Sequence, residues 1–244
     1  TVSPEGSIAL DKTATTLGGG LYAHNGTAAA ADPVTTGKAA TSAAWSDANA
    51  VRANNSIAYY SPSFSGFSAG LMYSFGAENT TTTNRSAGKM TSLKLAYANG
   101  PVSAAFGTQS TKGTTDTAKW VSNFFAASYD LGVAKLSAGY KTDKLTLTTG
   151  DKSDTIKSTI LGVSAPVGAV TLKASYVARK AEEKIGNQFA LGAVYDLSKR
   201  TSAYATYSVL KNEAGYGMSV GSAAASDFTG LKSKGFEAGV KHSF

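Results

Sequence analysis

The chain has no cysteine, only two histidines and five prolines in 244 residues, and an unusually small share of charge. Without cysteine there are no disulfides and no thiolate metal sites, although this absence does not fix a compartment. Two histidines far apart, His24 and His242, cannot build a histidine-rich metal centre. Charged residues make up 16%, against about 25% in an average soluble chain. No apolar run approaches the ~20 residues that a membrane-spanning helix requires. No basic, apolar, small-residue segment at the start reads as a secretion signal. Aliphatic residues are scattered, so the massed runs of a large dry core are missing too.

What the chain does have is glycine, serine, threonine, alanine and tyrosine, arranged with a period of two. From Asn54 to Phe244 apolar residues alternate with polar, small or charged ones over segments of about ten residues, the pattern of strands with one greasy and one wet face. Val170, Leu172, Ala174, Tyr176 and Ala178 share one face, and Thr171, Lys173, Ser175, Val177 and Arg179 the other. The same alternation sets Phe67, Ala69, Leu71, Tyr73 and Phe75 together, then Leu93, Leu95 and Tyr97, and Val102, Ala104 and Phe106. Further on it groups Phe125, Ala127, Tyr129 and Leu131; Ala134, Leu136, Ala138 and Tyr140; and Phe189, Leu191, Ala193 and Tyr195. These apolar rows often end in an aromatic, as the interfacial girdles of membrane barrels do.

Lys94, Lys135, Lys173 and Lys241 all fall on the polar face. A lysine facing lipid at mid-bilayer costs roughly 2–4 kcal/mol, so in a membrane that face must line the lumen. Alternation alone would equally fit a soluble β-sandwich, which also has a dry and a wet face. The connections separate the two. Short ones near Ser61 to Ser65, Asn99 to Pro101, Asp130 to Gly132, Pro166 to Gly168 and Asp196 to Lys199 alternate with long ones over Ala77 to Lys89, Ser110 to Thr117, Thr142 to Thr155, Lys180 to Gly186 and Lys211 to Lys234. Greek-key crossovers have no reason to keep this rhythm; an up-and-down barrel does, with tight turns at one rim and loops at the other. The expected fold is therefore all-β, a transmembrane antiparallel up-and-down β-barrel.

About eleven strands are legible in residues 54–244, which form the barrel wall. The first and the last point the same way, so closing a purely antiparallel sheet requires an odd number of further strands. Residues 1–53 offer two weak stretches, Glu5 to Leu10 and Gly18 to His24, and then a small, polar, aperiodic run that reads as a long extracellular loop leading into the wall. On this reading the chain is either a fragment or has a divergent N-terminal region.

Three motifs carry a family resemblance. The stretch from Arg52 to Phe67, with Asn54, Asn55, Tyr59, Tyr60, Pro62 and Gly66, resembles the strand, short turn and strand that follow the constriction loop in Gram-negative general porins, especially the β-proteobacterial branch. Asp196 to Thr201, with Tyr204 and Tyr207, is similar to that family's late periplasmic turn. The ending Gly239 to Phe244 is similar to its C-terminal signature. The resemblance covers about four-fifths of the chain. It implies a barrel of about sixteen strands, homotrimeric, in the outer membrane of a Gram-negative bacterium, in contact with outer-membrane lipid and lipopolysaccharide. Nothing at the start resembles the family's first five strands, and residues 1–53 would be largely the third, constriction loop. Phe236, Val240, His242 and Phe244 would form the terminal signal read by the assembly machinery. By the same analogy Arg52 stands on the basic side of the constriction, with Asp32 or Asp47 on the acidic loop opposite.

No constellation for covalent chemistry is present. Neither histidine lies in a nucleophile–base motif. The run Gly18, Gly19, Gly20 precedes no helix and so is not a phosphate cradle. Asn25 and Asn79 begin glycosylation sequons of the kind threonine-rich loops produce by chance. No cofactor is expected and no enzymatic activity. Nucleic acid is not an expected partner, because the basic residues are dispersed and not gathered with aromatics on one face. Lumen candidates Lys94, Lys135, Lys141, Lys173, Arg179 and Lys241 outnumber Glu237, and basic side chains in a pore lower the barrier to anions. The expectation is a water-filled channel for passive diffusion of small hydrophilic, preferably anionic, solutes. Two competing readings are a plugged or adhesive outer-membrane barrel whose loops bind a partner, and a soluble all-β binding domain.

Overall fold

A computed structural model describes residues 55–76, 89–112, 118–147, 152–217, 220 and 228–243. Eleven strands follow one another: β1 (Ser56–Tyr60), β2 (Phe67–Ser74), β3 (Met90–Asn99), β4 (Val102–Lys112), β5 (Ala118–Asp130), β6 (Lys135–Leu147), β7 (Lys152–Val167), β8 (Val170–Lys180), β9 (Lys184–Asp196), β10 (Thr201–Asn212) and β11 (Lys232–His242). Spatial order equals sequence order in one sheet. This is the up-and-down topology that the alternating short and long connections require. By internal contacts two compact units are distinguished. The first takes β1 to β4, most of β5, and the ends of β6 and β7 that flank their connection; the second takes β8 to β11 and the rest of β5 to β7.

Within the first unit, the turn from β1 to β2 is held by its own chemistry. Ser61 Oγ accepts the Ala69 N–H at 2.8 Å, and Phe64 and Phe67 exchange backbone hydrogen bonds at 2.8 and 2.9 Å. Ser65 and Gly66 both adopt the left-handed conformation, φ 49° and 86°, and the Gly66 carbonyl accepts the Ala98 N–H at 2.9 Å. Within the second unit, β8 to β11 are paired in continuous antiparallel register, with a single irregularity at Arg179 and Lys180.

The strands run farther at the long-connection end than their periodicity indicates. β6 and β7 approach to residues 147 and 152, and β8 and β9 to 180 and 184, so the expected connections Thr142–Thr155 and Lys180–Gly186 are much shorter than read from sequence. The physical reason is that the ladder is made by backbone groups, which continue to pair where the side chains are polar in both phases, as at Lys152 to Thr155, and where the remaining alternation is as short as Lys144 to Leu147.

Candidate functional site

The faces of this sheet are the functional feature. On one, large apolar side chains stand uncovered in every strand from β1 to β11: Tyr59, Leu71, Leu95, Phe106, Phe125, Leu136, Leu161, Leu172, Leu191, Tyr207 and Phe236 among them. Leu71, Leu161 and Leu172 are half exposed, at 50%, 52% and 49%. Exposed apolar surface of this extent, one side of a whole sheet, is not stable in water and requires a lipid solvent. A soluble β-domain is thereby disfavoured. The other face carries Ser74, Ser92, Thr111, Ser128, Ser158, Gln188, Thr206, Ser208 and Asn212, all buried. Among them Gln188 Nε2 donates to Ser208 Oγ at 2.8 Å.

This second face is not uniformly wet, which sequence reasoning missed. Met72 and Met90 pack together on it, and Phe124, Ile156, Ile160 and Leu210 are buried there as well. The signal was available. Each of these residues sits out of phase with the exposed row of its own strand, Met72 between Leu71 and Tyr73 for example.

Each candidate lysine has a defined place in the ladder. Lys94 on β3 stands between Gly70 and Gly107 of the neighbouring strands. Two flanking residues without side chains leave its long stem room to lie along the sheet. Lys173 on β8 heads a row that runs through Gly192 and Thr206 to Glu237 on β11. Three strand spacings, about 14 Å, separate its backbone from that of Glu237, too far for a direct ion pair. Lys241 is exposed and lies opposite Ser202, which lies opposite Asp196. Lys135 is exposed at the first position of β6.

Glu237 is engaged from a neighbouring strand. Tyr204 Oη donates to Glu237 Oε1 at 2.9 Å. The tyrosine ring reaches it by lying over Gly239, its register partner. A Cβ at Gly239 would come within 2.7–2.9 Å of the Tyr204 ring and hydroxyl. Lys141 lies on the same face and is buried. It pairs with Asp143 at 3.6 Å, and Asp143 in turn accepts a hydrogen bond from Ser122 Oγ. Arg179 is buried too.

At the C-terminal end, Phe236 and Val240 project from the exposed apolar face at 70% and 68% exposure. His242 on the same face is exposed, its Nδ1 2.9 Å from Thr201 Oγ1. Among the described residues no group of three or more metal-ligating side chains occurs, and no helix is long and apolar enough to cross a membrane, which says nothing against crossing by strands. Arg52, Asp32, Asp47, Phe244, His24 and the glycine run at 18–20 lie outside the described residues.

A sheet of consecutive antiparallel strands, apolar and aromatic on one side and hydroxyl-, amide- and lysine-bearing on the other, defines a transmembrane antiparallel β-barrel protein. The Gram-negative porin family model matches residues 5–215. Outer membrane porin protein 32 of Delftia acidovorans is 37% identical over 209 residues, 81% of this chain and 58% of that protein. An outer membrane porin protein of Bordetella pertussis is 34% identical over 207 residues, 67% of this chain and 54% of that one. Among solved structures, the anion-selective porin from Comamonas acidovorans superposes with a TM-score of 0.69 at 34% identity, covering 79% of this chain and 60% of that chain. OmpT of Vibrio cholerae, at 16% identity and a TM-score of 0.57, shares the fold alone. The chain belongs to the Gram-negative porin family and is a protein of the Gram-negative outer membrane. It spans 54–60% of the length of these relatives.

Proposed function

We propose that the protein forms a water-filled pore, as a homotrimer, through which small hydrophilic solutes diffuse passively with a preference for anions. The observation that carries this is the charge balance on the face opposite the lipid. Lys94, Lys135, Lys141, Lys173, Arg179 and Lys241 stand there along β3, β6, β8 and β11, and they outnumber the carboxylates in the same phase, Asp130 and Asp196 at strand ends, Asp143 beside Lys141 and Glu237 beside Tyr204. Basic side chains with low-dielectric walls behind them focus a field that concentrates anions and lowers their barrier. The similar Comamonas acidovorans porin is itself anion-selective, which supports the same reading. No cofactor and no covalent step are needed for diffusion.

The family resemblance adds further roles to this proposal. Residues 1–53 would supply mainly the constriction loop, with Arg52 facing Asp32 or Asp47 at the narrowest point. Phe236, Val240, His242 and Phe244 would be the assembly signal. The wall would occupy residues 54–244.

Planar-bilayer recording of the full-length protein under a salt gradient tests the central claim. A reversal potential of the sign for anions is expected. Cation preference would sink the charge argument, and an absence of conductance would sink the pore and favour a plugged barrel.

A further inference from the structure

The polar face of the second unit carries an arrangement that charge selectivity alone does not require. Along β11 the positions on that face are, in turn, Gly235, Glu237, Gly239 and Lys241, and their register partners on β10 are Ser208, Thr206, Tyr204 and Ser202. Tyr204 crosses to β11. Its ring takes the space above Gly239 that a Cβ would fill, and its hydroxyl donates to Glu237 Oε1 at 2.9 Å. In order along the strand come carboxylate, aromatic ring and ammonium. Four residues, about 13 Å of extended backbone, separate Glu237 from Lys241, and the phenol ring fills the middle of that interval. Tyr204 and Glu237 are half-buried and Lys241 is exposed. Thr206, opposite Glu237, leans the other way, over Gly192, and the neighbours of Glu237 on its own side of β11 are two glycines, so the floor around the carboxylate is poor in side chains.

A carboxylate beside the path of simple anions repels them. It becomes favourable for an anion that also carries hydroxyls, because an ionised carboxylate only accepts hydrogen bonds and has about four acceptor sites, of which Tyr204 takes one. Bonds to the charged group are stronger than neutral ones, and the Tyr204 bond fixes the group that makes them. The adjoining ring offers an apolar face to C–H groups. A saturated ring with hydroxyls at one end and an acid group at the other presents these chemistries in the same order. We propose that Glu237, Tyr204 and Lys241 form a subsite for sugar acids, with hydroxyls on Glu237, the C–H face of the sugar on the Tyr204 ring and the carboxylate on Lys241. A neutral sugar lacks the last contact and a simple anion the first two. Lys173 lies at right angles to this line, three strand spacings along the Glu237 row. Asp196 lies beyond Ser202 in the Lys241 row, with its backbone about 10 Å from that of Lys241. Neither takes the place of a member of the line.

The inference rests on the pore reading above, which brings solute to this face, and its test is separable from conduction. The full-length protein in detergent micelles is titrated with three probes, and saturation-transfer NMR reports binding. Glucuronate is the ligand, cyclohexanecarboxylate keeps the ring and charge without hydroxyls, and methyl glucoside keeps the ring and hydroxyls without charge. In dilute salt wild type is expected to bind glucuronate about tenfold more tightly than either control, the change that one lost hydrogen-bonded contact makes. Lys241→Gln is expected to bring glucuronate down to the level of methyl glucoside. Tyr204→Ala is expected to weaken both sugars, and Tyr204→Phe, which keeps the ring, to bind them more tightly than Tyr204→Ala. Lys144→Gln, in the outward phase of β6, should bind as wild type. Equal binding of glucuronate and cyclohexanecarboxylate overturns the proposal, reducing the site to a plain anion contact. A glucuronate affinity unmoved by Lys241→Gln overturns it too, as does an absence of glucuronate binding to wild type. Chloride conductance of the same preparations is the second readout. If chloride current is absent the pore reading fails, while the titration still decides the subsite. Where chloride flows, glucuronate is expected to interrupt the current in wild type and less in Tyr204→Ala.

Discussion

Tyr204 and Glu237 are joined across two strands by a 2.9 Å hydrogen bond in which the phenol donates to the carboxylate. In a face otherwise supplied with lysine, this bond ties the one carboxylate of the Lys173 row to a neutral partner and orients it along the sheet. Removing the donor leaves Glu237 free to extend toward passing ions. Tyr204→Phe is therefore expected to weaken anion preference, and Glu237→Gln to strengthen it. The two changes share one bond, so they are not additive. Tyr204→Phe should have no further effect in a Glu237→Gln background. Gly239→Ala, whose Cβ would displace the Tyr204 ring, should reproduce the Tyr204→Phe phenotype with little change in stability, because the far end of a side chain can move. Reversal potentials of the four variants decide this; additive shifts would show that the bond does not control selectivity.

Lys94 and Lys173 are the mid-wall cations in this reading. A unit charge about 6 Å from an ion in water contributes roughly 0.7 kcal/mol, about threefold in relative permeability. Lys94→Gln and Lys173→Gln are each expected to lower the anion-to-cation permeability ratio by about that factor in dilute salt. The difference should shrink toward 1 M, where screening shortens to about 3 Å. A ratio unchanged in dilute salt would remove these residues from the selectivity argument.

The alternation that showed the strands was legible because lipid punishes a misplaced charge, and Leu172 and Lys173 could not exchange faces without cost. Strand number, order and outward rows follow from that constraint, and the eleven strands found fall where periodicity placed them. Legibility failed where the constraint lapses. Lys152 to Thr155 continues β7 with polar residues in both phases, so nothing in its pattern distinguishes a strand from a loop, whereas in the continuation of β6 Lys144 and Thr146 still alternate with Leu145 and Leu147, a short signal lost among the polar residues around it. The site was harder to read. That Lys141 would find Asp143, two residues along the same strand, follows from period two, and the spacing was there to be seen. That Tyr204 would reach Glu237 depends on the β10–β11 register, which a single strand does not encode.

The turn between β1 and β2 makes a conformational demand that can be separated from a steric one. Gly66 has φ 86°, and a Cβ there would sit 2.6 Å from the Ala98 carbonyl oxygen, the backbone neighbour with which its own carbonyl is tied. Gly66→Ala meets both penalties. The left-handed conformation alone costs about 1–2 kcal/mol, so a clear fall in the urea midpoint is expected. Gly100 has φ 55° with nothing within 4 Å, and asparagine tolerates that region. Gly100→Asn should unfold close to wild type. Equal losses would show that the Ala98 contact is unimportant.

Glu213, just past the end of β10 and outside the spanning strands, is held by Lys184 Nζ at 3.1 Å and Lys211 Nζ at 3.8 Å. The hydrogen bond from Lys184 lowers its carboxyl below the ordinary 4.5, partly opposed by desolvation and helped by the charge of Lys211. A lowered folded-state pKa means that the stabilisation is present above the unfolded value and is lost as pH falls through the folded one. Carbon-detected NMR should place the Glu213 midpoint below 4.5, and Lys184→Gln should raise it more than Lys211→Gln. Stability at neutral pH should differ between wild type and Glu213→Gln, and that difference should vanish in acid below the Glu213 midpoint. A midpoint unmoved by Lys184→Gln would dissolve the assignment.

The assignment of faces itself predicts an asymmetry. Leu191 lies near the middle of β9, exposed, opposite Ala174 and Tyr207, whereas Ser175 one strand away is on the other face, opposite Ala190. A lysine on the lipid side near the bilayer centre costs roughly 2–4 kcal/mol. Its long stem can relieve part of that cost only by reaching the interface. On the polar side a lysine meets water and joins residues of its own kind. Leu191→Lys is thus expected to lower the folding free energy in lipid vesicles by about 2–4 kcal/mol. Ser175→Lys should fold close to wild type and strengthen anion preference. Reversible urea unfolding in vesicles, followed by tryptophan fluorescence, measures the first, and the reversal potential measures the second. Equal destabilisation by both lysines would mean that neither face meets water, and the polar face would then be the wall of a filled barrel.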